Sequence, residues 1–344
     1  MNQLEIAGRK IGREYTPLVI AEIGINHEGS LNVAKEMVDA AYRAGVEAVK
    51  HQTHVVDDEM SPQAKKVIPG NTSESIYSVM ERCALSEDNE FKLMKYVESK
   101  GMVFLSTPFG RAAADRLMGF DVSAFKIGSG ECNNYPLIKH ISKFNKPMIL
   151  STGMNTLDTV APSVRIMKEN DIDFALLHTT NLYPTPNHLV RLGAMLELED
   201  RFNCIVGLSD HTISNHACLG AVALGASLLE RHFTDHMGRK GPDIICSMDE
   251  KACKELIDGA KILFEQRDGA KTHLTEEQVT RDFAYATVCA IRDIDEGDSF
   301  NEENIWVKRP GTGEISASQF EEVLEKKAAR NIKKGEHLKN SDLI

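Results

Sequence analysis

His211 and His232 are separated by about one strand-plus-helix repeat, and each closely follows a short apolar run. That spacing should bring both imidazoles side by side to one rim, near Glu22, Asp210 and Asp243. Two neutral imidazoles with few further protein ligands leave positions open for water and substrate, as a catalytic metal site requires. A lone strand-end histidine is more often structural; the pairing is what points to metal. Imidazole, carboxylate and water suit manganese, iron, cobalt or zinc, and no thiolate cluster nearby adds a soft-metal signature.

A second set, Lys50, Thr107, Lys126, Ser129, Ser151 and Ser209, places cations and hydroxyls at or just beyond the ends of apolar runs. Such a set suits a small phosphate or carboxylate. Lys50 and Gln52 share one face of their run, opposite His51 and Thr53, and a lysine among apolar neighbours is costly without an anionic partner. Either a bound anion or an internal carboxylate, Glu22 or Glu131, must meet it. A desolvated Lys126 or Lys50 could instead attack a ketone as a Schiff-base nucleophile, but the histidine pair makes that redundant as a way to polarise a carbonyl. Glu22, Glu131, Glu230 and Asp243 are the candidate acids for orienting water or handling a proton. Glu131, in Gly130-Glu131-Cys132-Asn133-Asn134, also reads as a loop cap.

The elements that must position these residues alternate between β-branched apolar runs and helix-length amphipathic stretches from Leu18 to about His232. Strands are predicted over 18–23, 48–53, 103–106, 124–127, 148–151, 174–177, 205–208 and 227–230, and eight such units predict a (β/α)8 TIM barrel. A doubly wound sheet shares the alternation, but no GxGxxG follows the first run to favour it. Nearly every run ends in polar residues, such as Lys50-His51-Gln52-Thr53, His178-Thr179-Thr180-Asn181 and Ser209-Asp210-His211, which converge on one rim as in barrel enzymes. The long insertion 55–85, with Pro69-Gly70-Asn71, reads as a lid or substrate wall. Residues 1–267 form the predicted barrel, 268–281 a linker, and 282–344 a compact β-rich module with strands over 285–290, 305–308 and 328–332. Within it, Ile294-Asp295-Glu296-Gly297-Asp298 and Ile332-Lys333-Lys334-Gly335-Glu336 look like an internal repeat.

The bulk numbers agree. With 344 residues and 42% hydrophobic content the chain can bury a large core. Its apolar runs fall far short of the roughly 20 residues of a membrane span, and no basic flank and apolar signal core open it, so a soluble cytoplasmic protein is expected. Seven cysteines, an odd number without a CxxC pair, read as reduced, packed thiols. A net charge of −11 argues against nucleic acid or anionic membrane as partner, so any phosphate site must be locally basic.

Taken in order, the stretches Ala21-Glu22-Ile23-Gly24-Ile25-Asn26-His27, Lys50-His51-Gln52-Thr53, Ser106-Thr107-Pro108-Phe109, Phe125-Lys126-Ile127-Gly128-Ser129-Gly130-Glu131, Ser151-Thr152-Gly153-Met154, Asn181-Leu182-Tyr183-Pro184-Thr185-Pro186, Gly207-Leu208-Ser209-Asp210-His211, Glu230-Arg231-His232-Phe233 and Gly241-Pro242-Asp243 resemble the bacterial N-acetylneuraminate (sialic acid) synthases from end to end. The resemblance implies a TIM barrel, a C-terminal antifreeze-like (SAF) module, and a domain-swapped homodimer. It implies condensation of phosphoenolpyruvate with open-chain N-acetylmannosamine and water, with C–O cleavage, to give N-acetylneuraminate and phosphate. By motif, His211 and His232 resemble manganese ligands, with Co2+ or Mg2+ as other metals. Lys50, Thr107, Lys126, Ser129, Ser151, Asn181 and Ser209 resemble the phosphoenolpyruvate site, and Glu22, Gln52, Asn71, Tyr183 and Asp243 the sugar contacts. Glu22 or Glu131 handles the proton. Arg309, otherwise a solvated surface arginine, resembles the residue that the swapped module donates to the acetamido group, with Thr280 and Phe283 nearby. Relatives that make legionaminic acid, pseudaminic acid or a phosphorylated sialic acid share most of these motifs, so the acceptor stays open among them. A sugar- or ice-binding module with a silent barrel would have no reason to combine these sets.

Overall fold

The structure is a computed structural model that describes residues 3–70 and 72–344. The chain divides into two compact units, Met1–Asp268 and Gly269–Ile344. Eight parallel strands close the first into a barrel: β1 (Leu18–Gly24), β2 (Ala48–Thr53), β3 (Val103–Pro108), β4 (Phe125–Ile127), β5 (Met148–Ser151), β6 (Phe174–Thr179), β7 (Ile205–Asp210) and β8 (Leu228–His232). Each strand pairs with the next in sequence, and β8 closes on β1. The expected TIM barrel is therefore present, and several strands run past their predicted ends. Ser106, Thr107, His178, Thr179, Ser209, Asp210, Arg231 and His232 lie inside strands, because polar residues keep the backbone ladder while their side chains find partners at the rim.

Two apolar layers hold the barrel. Leu18, Ile20, Ala48, Leu105, Ile149, Leu177, Ile205 and Leu228 pack in its interior with Leu4, Ile6 and Ile11 of an N-terminal hairpin, Leu4–Ile6 against Arg9–Ile11. These residues come mostly from the first halves of the strands, so the hairpin plugs one end and leaves the other to the polar rim. The larger layer lies between the strands and the amphipathic helices, such as Leu31–Ala44, Glu87–Ser99 and Glu250–Gln266. Register then sets neighbours across the interior: Glu22 is the partner of Lys50 and of His232, and Ser209 is the partner of Glu230. All seven cysteines are free and buried.

The insertion after β2 folds into the short helix Val56–Glu59, a 3-10 turn over Pro62–Lys66 and the helix Ile76–Cys83. In the second unit, the segment predicted as a linker contains the turn Thr275–Glu277 and the start of the helix Gln278–Ala284. Strands β9 (Thr287–Ala290) and β10 (Ile305–Lys308) pair antiparallel. The strand expected over 328–332 is not continuous: Ala328 bridges Leu343 and Ile332 bridges Ile294, two different partners that no single ladder can serve. That second bridge joins the two predicted repeats. Ile294 and Ile332 exchange both backbone hydrogen bonds at 2.9 Å, and Gly297 and Gly335 take matching left-handed turns, φ +88° and +91°.

Candidate active site

Four charged side chains meet in the barrel interior near its polar rim, all buried: Glu22, Lys50, Lys126 and Glu230. Lys50 is ion-paired with Glu22 and lies 3.8 Å from Glu230 Oε1; Lys126 Nζ is 3.6 Å from the same oxygen. Hydroxyls surround them. Lys50 donates to Thr107 Oγ1 at 3.1 Å, Lys126 to Ser151 Oγ at 2.7 Å, and Ser209 to Glu230 Oε1 at 3.2 Å. The internal carboxylates that meet Lys50 are thus Glu22 and Glu230. Glu131 is not among them: it sits in the 3-10 turn Ser129–Glu131 and accepts from Asn134 Nδ2 at 2.5 Å.

Burial opposes every charge here, and the neighbours decide the outcome. Burial foremost, with Glu230 adding to it, raises Glu22 to about 7 against the pull of Lys50. Burial also works against Lys50, yet Glu22 and Glu230 overcome it and hold its pKa above the ordinary value. Lys126 is pushed down to about 8, first by burial and then by the charge of Lys50, with Glu230 opposing. Two lysines among hydroxyls form a cradle for a small dianion, and Glu22 is poised to exchange a proton near neutral pH.

Ser129, Gly153 and Asn181 continue this cradle. Gly153 N donates to Ser129 Oγ at 3.1 Å. A Cβ at Gly153 would overlap Asn181 Oδ1 and lie 2.8 Å from Ser129 Oγ, so glycine alone fits there. Among the described residues, Asn181 Oδ1, Glu230 Oε2 and His232 Nδ1 are buried without a hydrogen-bond partner. Polar atoms so placed are expected where a ligand supplies the missing bonds.

The predicted histidine pair is assembled. The His211 and His232 rings lie 5.4 Å apart, and the Tyr183 ring lies 4.1 Å from His211. His211 Nδ1 is 2.9 Å from the Thr180 carbonyl, which fixes the tautomer and leaves Nε2 with its lone pair. His232 Nδ1 stands 3.8 Å from Asp243 Oδ2. Burial holds both histidines neutral, lowering His211 to about 4 and His232 to about 3. Neutral imidazoles beside a carboxylate fit a divalent cation. Among the described residues, no group of three or more His, Cys, Asp or Glu side chains is arranged to hold one.

Above the cradle opens a cavity of about 720 Å³, lined on its polar side by Gln52, Asn181, Tyr183, His232 and Asp243. Ile25, Ile76, Val79, Met80, Leu182, Pro184 and Pro242 give it an apolar wall, part of it from the insertion. Asn71 lies outside the described residues; its neighbours Gly70 and Thr72 line the cavity. Thr280, Phe283 and Arg309 belong to the second unit and are exposed there. Gly311 N donates to Asp282 O at 2.7 Å, which brings the loop of Arg309 beside the helix of Thr280 and Phe283.

Glu230 is the residue whose importance the sequence understated. Its place in an apolar strand, facing two lysines, follows only from barrel closure. A closed parallel barrel with convergent cations, hydroxyls and imidazoles at one end is the constellation of a barrel enzyme acting on a small anion. Residues 37–272 match the NeuB family and residues 285–344 the SAF domain, and the chain belongs to the NeuB family. It is an enzyme, a synthase of the sialic-acid type. It is 37% identical to the N,N'-diacetyllegionaminic acid synthase of Campylobacter jejuni over 93% of this chain and 98% of that one. It is 32% identical to the human N-acetylneuraminate-9-phosphate synthase over 76% of this chain and 74% of the other. The crystal structure of an N-acetylneuraminic acid synthetase from Leptospira borgpetersenii superposes with a TM-score of 0.75 at 25% identity, covering 81% of this chain and 95% of that one. No helix among the described residues is long and apolar enough to cross a membrane.

Proposed function

We propose that this enzyme condenses phosphoenolpyruvate with the open-chain aldehyde of a 2-acetamido sugar of the mannose series and water, releasing phosphate and a nine-carbon sugar acid. The observation that carries the reading is the cradle of Lys50, Lys126 and hydroxyls at the foot of a cavity bounded by His232 and Tyr183. Lys50, Lys126, Thr107, Ser129, Ser151, Asn181 and Ser209 hold the phosphate and carboxylate of phosphoenolpyruvate and aim its methylene carbon at the aldehyde, so that much of the rate comes from orienting two reactants. His211 and His232 would hold a divalent ion, Mn2+ in this reading, which when bound supplies Lewis-acid polarisation of the aldehyde.

The new carbon–carbon bond leaves cationic character at the enol carbon, next to the carboxylates of Glu22 and Glu230. Water adds to that carbon, and the bond from it to the phosphate oxygen breaks, leaving a ketone and inorganic phosphate. Glu22, with its pKa near 7, exchanges the proton. Oxygen-18 in the bridge of phosphoenolpyruvate should leave with phosphate; label retained in the sugar acid would contradict this cleavage.

For the acceptor, N-acetylmannosamine is the first reading. The apolar wall of Ile25, Ile76, Val79, Met80 and Pro184 favours a second, 2,4-diacetamido-2,4,6-trideoxymannose, which has a methyl group in place of the hydroxymethyl and an acetamido group in place of a hydroxyl, and would give N,N'-diacetyllegionaminate. Phosphate release by metal-stripped protein plus Mn2+, with each acceptor supplied separately, decides between them, and release with neither overturns the synthase reading for both of these acceptors. We further propose a cytoplasmic homodimer in which Arg309, with Thr280 and Phe283, serves the sugar site of the partner protomer. Arg309→Ala should then raise the acceptor KM and leave that of phosphoenolpyruvate nearly unchanged.

A further inference from the structure

His54 follows the last residue of β2 and is buried, although it is not part of the cavity lining. Its ring stacks on Phe109, with centroids 4.6 Å apart and planes 12° from parallel. One nitrogen, Nδ1, stands 2.8 Å from Glu59 Oε2; the other, Nε2, stands 3.3 Å from Gln52 Oε1. The nitrogen of the same amide, Gln52 Nε2, donates to Glu22 Oε1 at 3.3 Å. Gln52 itself lines the cavity.

Glu59 is placed by its own neighbours. In the short helix Val56–Glu59 every acid has a separate partner: Tyr77 donates to Asp57 at 2.8 Å, the backbone of Ala112 donates to Asp58 at 2.8 Å, and Glu59 is left for His54. The helix is thereby pinned to the insertion on one side and to the start of the helix Arg111–Gly119 on the other. At the far end of the chain of contacts, Gly24 makes room. A Cβ there would fall 2.6 Å from Glu22 Oε1 and 3.2 Å from Gln52 Nε2, at a φ of +45°.

The terminal amide of a free glutamine rotates broadly and can offer either oxygen or nitrogen to a ligand. Both His54 contacts are hydrogen bonds when the ring carries a proton on each nitrogen, with Glu59 as its counter-ion: it then donates to the Gln52 oxygen, Gln52 donates its nitrogen to Glu22, and the amide has one orientation. We propose that His54, backed by Glu59 and Phe109, is a positioning residue that fixes the Gln52 amide and so sets the grip on the acceptor sugar, without touching phosphoenolpyruvate. This rests on the reading that the cavity beside Gln52 receives the acceptor.

His54→Phe keeps the stacked ring and removes both hydrogen bonds, and Glu59→Gln alters the outer contact alone. Each should raise the acceptor KM roughly three- to tenfold, the worth of one lost hydrogen bond, with the phosphoenolpyruvate KM within about twofold. In a Gln52→Ala background, His54→Phe should add nothing further; multiplying effects, or equal rises for both substrates, overturn the proposal. An activity-independent readout is the side-chain amide proton pair of Gln52 in NMR spectra, assigned by its loss in Gln52→Ala. It should move toward free-glutamine positions in His54→Phe. A pair that stays in place overturns the positioning itself, whereas a moved pair with an unchanged acceptor KM overturns the assignment of that cavity to the sugar.

Discussion

Lys126 Nζ and Glu230 Oε1 stand 3.6 Å apart inside the barrel, and the same carboxylate oxygen lies 3.8 Å from Lys50 Nζ. Glu230 therefore acts as a resident anion that keeps two buried cations compatible when no phosphate lies between them. Removing one member of a buried ionic set leaves uncompensated charge. Glu230→Gln should lower the unfolding free energy by about 3 kcal/mol in chemical denaturation. A loss below about 1 kcal/mol would mean that Glu22 and the hydroxyls satisfy the lysines without Glu230.

Anion binding should be visible as proton uptake. Burial and the charge of Lys50 push Lys126 down to about 8, so a fraction of it is neutral in mildly alkaline solution. A phosphate and carboxylate arriving beside it favour the charged form and raise its pKa, so binding takes a proton from solution at about pH 8 to 9. Below about pH 7 Lys126 is already charged and contributes none. Calorimetric titration of phosphoenolpyruvate at about pH 8.5 in two buffers of different ionisation heat measures the uptake. Lys126→Met should reduce it; equal enthalpies in both buffers for the wild type would contradict the depressed pKa.

The barrel was legible in the sequence because each strand is a short β-branched run ending in polar residues, and residues such as Lys50, Ser151 and His211 could be read at those ends. The partners of those residues were not legible in the same way. Glu230 meets Lys50 and Lys126 through closure of β8 on β1, a relation between positions 180 and 104 residues apart that no local pattern encodes. His54 reads locally as one more residue after a strand; its role emerges only when Glu59, Phe109 and Gln52 surround it. The same holds for Arg231, fully buried and donating to Asn215 and the Thr212 carbonyl, which ties the end of β8 to the loop after β7. The discontinuous strand at 328–332 failed as a local reading because its residues bridge two partners on different sides.

Acid should expose His27. It is buried, accepts from Gly29 N at 3.2 Å, and is held neutral down to about pH 3 by burial and the neighbouring His51. An unfolded histidine titrates near 6.5, so between about pH 6.5 and 3 the unfolded chain binds a proton that the folded chain refuses. Stability contributed by neutral His27 is complete above that window and is lost as pH falls through it, by up to about 1.4 kcal/mol per pH unit. Glu22 and Asp243, raised to about 7 and about 6, work in the opposite direction over part of the same range. The measure is therefore the difference between wild type and His27→Gln, whose stability gap should narrow, or change sign in favour of the variant, as pH falls from about 6.5 to about 4. A gap independent of pH would show that His27 is not held neutral.

Gly153 tests whether the cradle is shaped for its ligand as tightly as the distances imply. A methyl at this position must displace Asn181 Oδ1 and crowd Ser129 Oγ, which lies 2.8 Å from the point where the methyl carbon would sit. Neither neighbour is apolar core, so the cost falls on the cradle and little of it on folding. Two outcomes differ in their signatures. If Asn181 and Ser129 grip phosphoenolpyruvate, Gly153→Ala should raise its KM roughly tenfold, the equivalent of losing one charge-assisted hydrogen bond, while the acceptor KM and the melting temperature change little. If they serve only to close the loop after β5, the melting temperature should fall and both KM values should hold. Steady-state constants for the two substrates, measured beside thermal unfolding of the same preparation, distinguish a binding cradle from a structural turn.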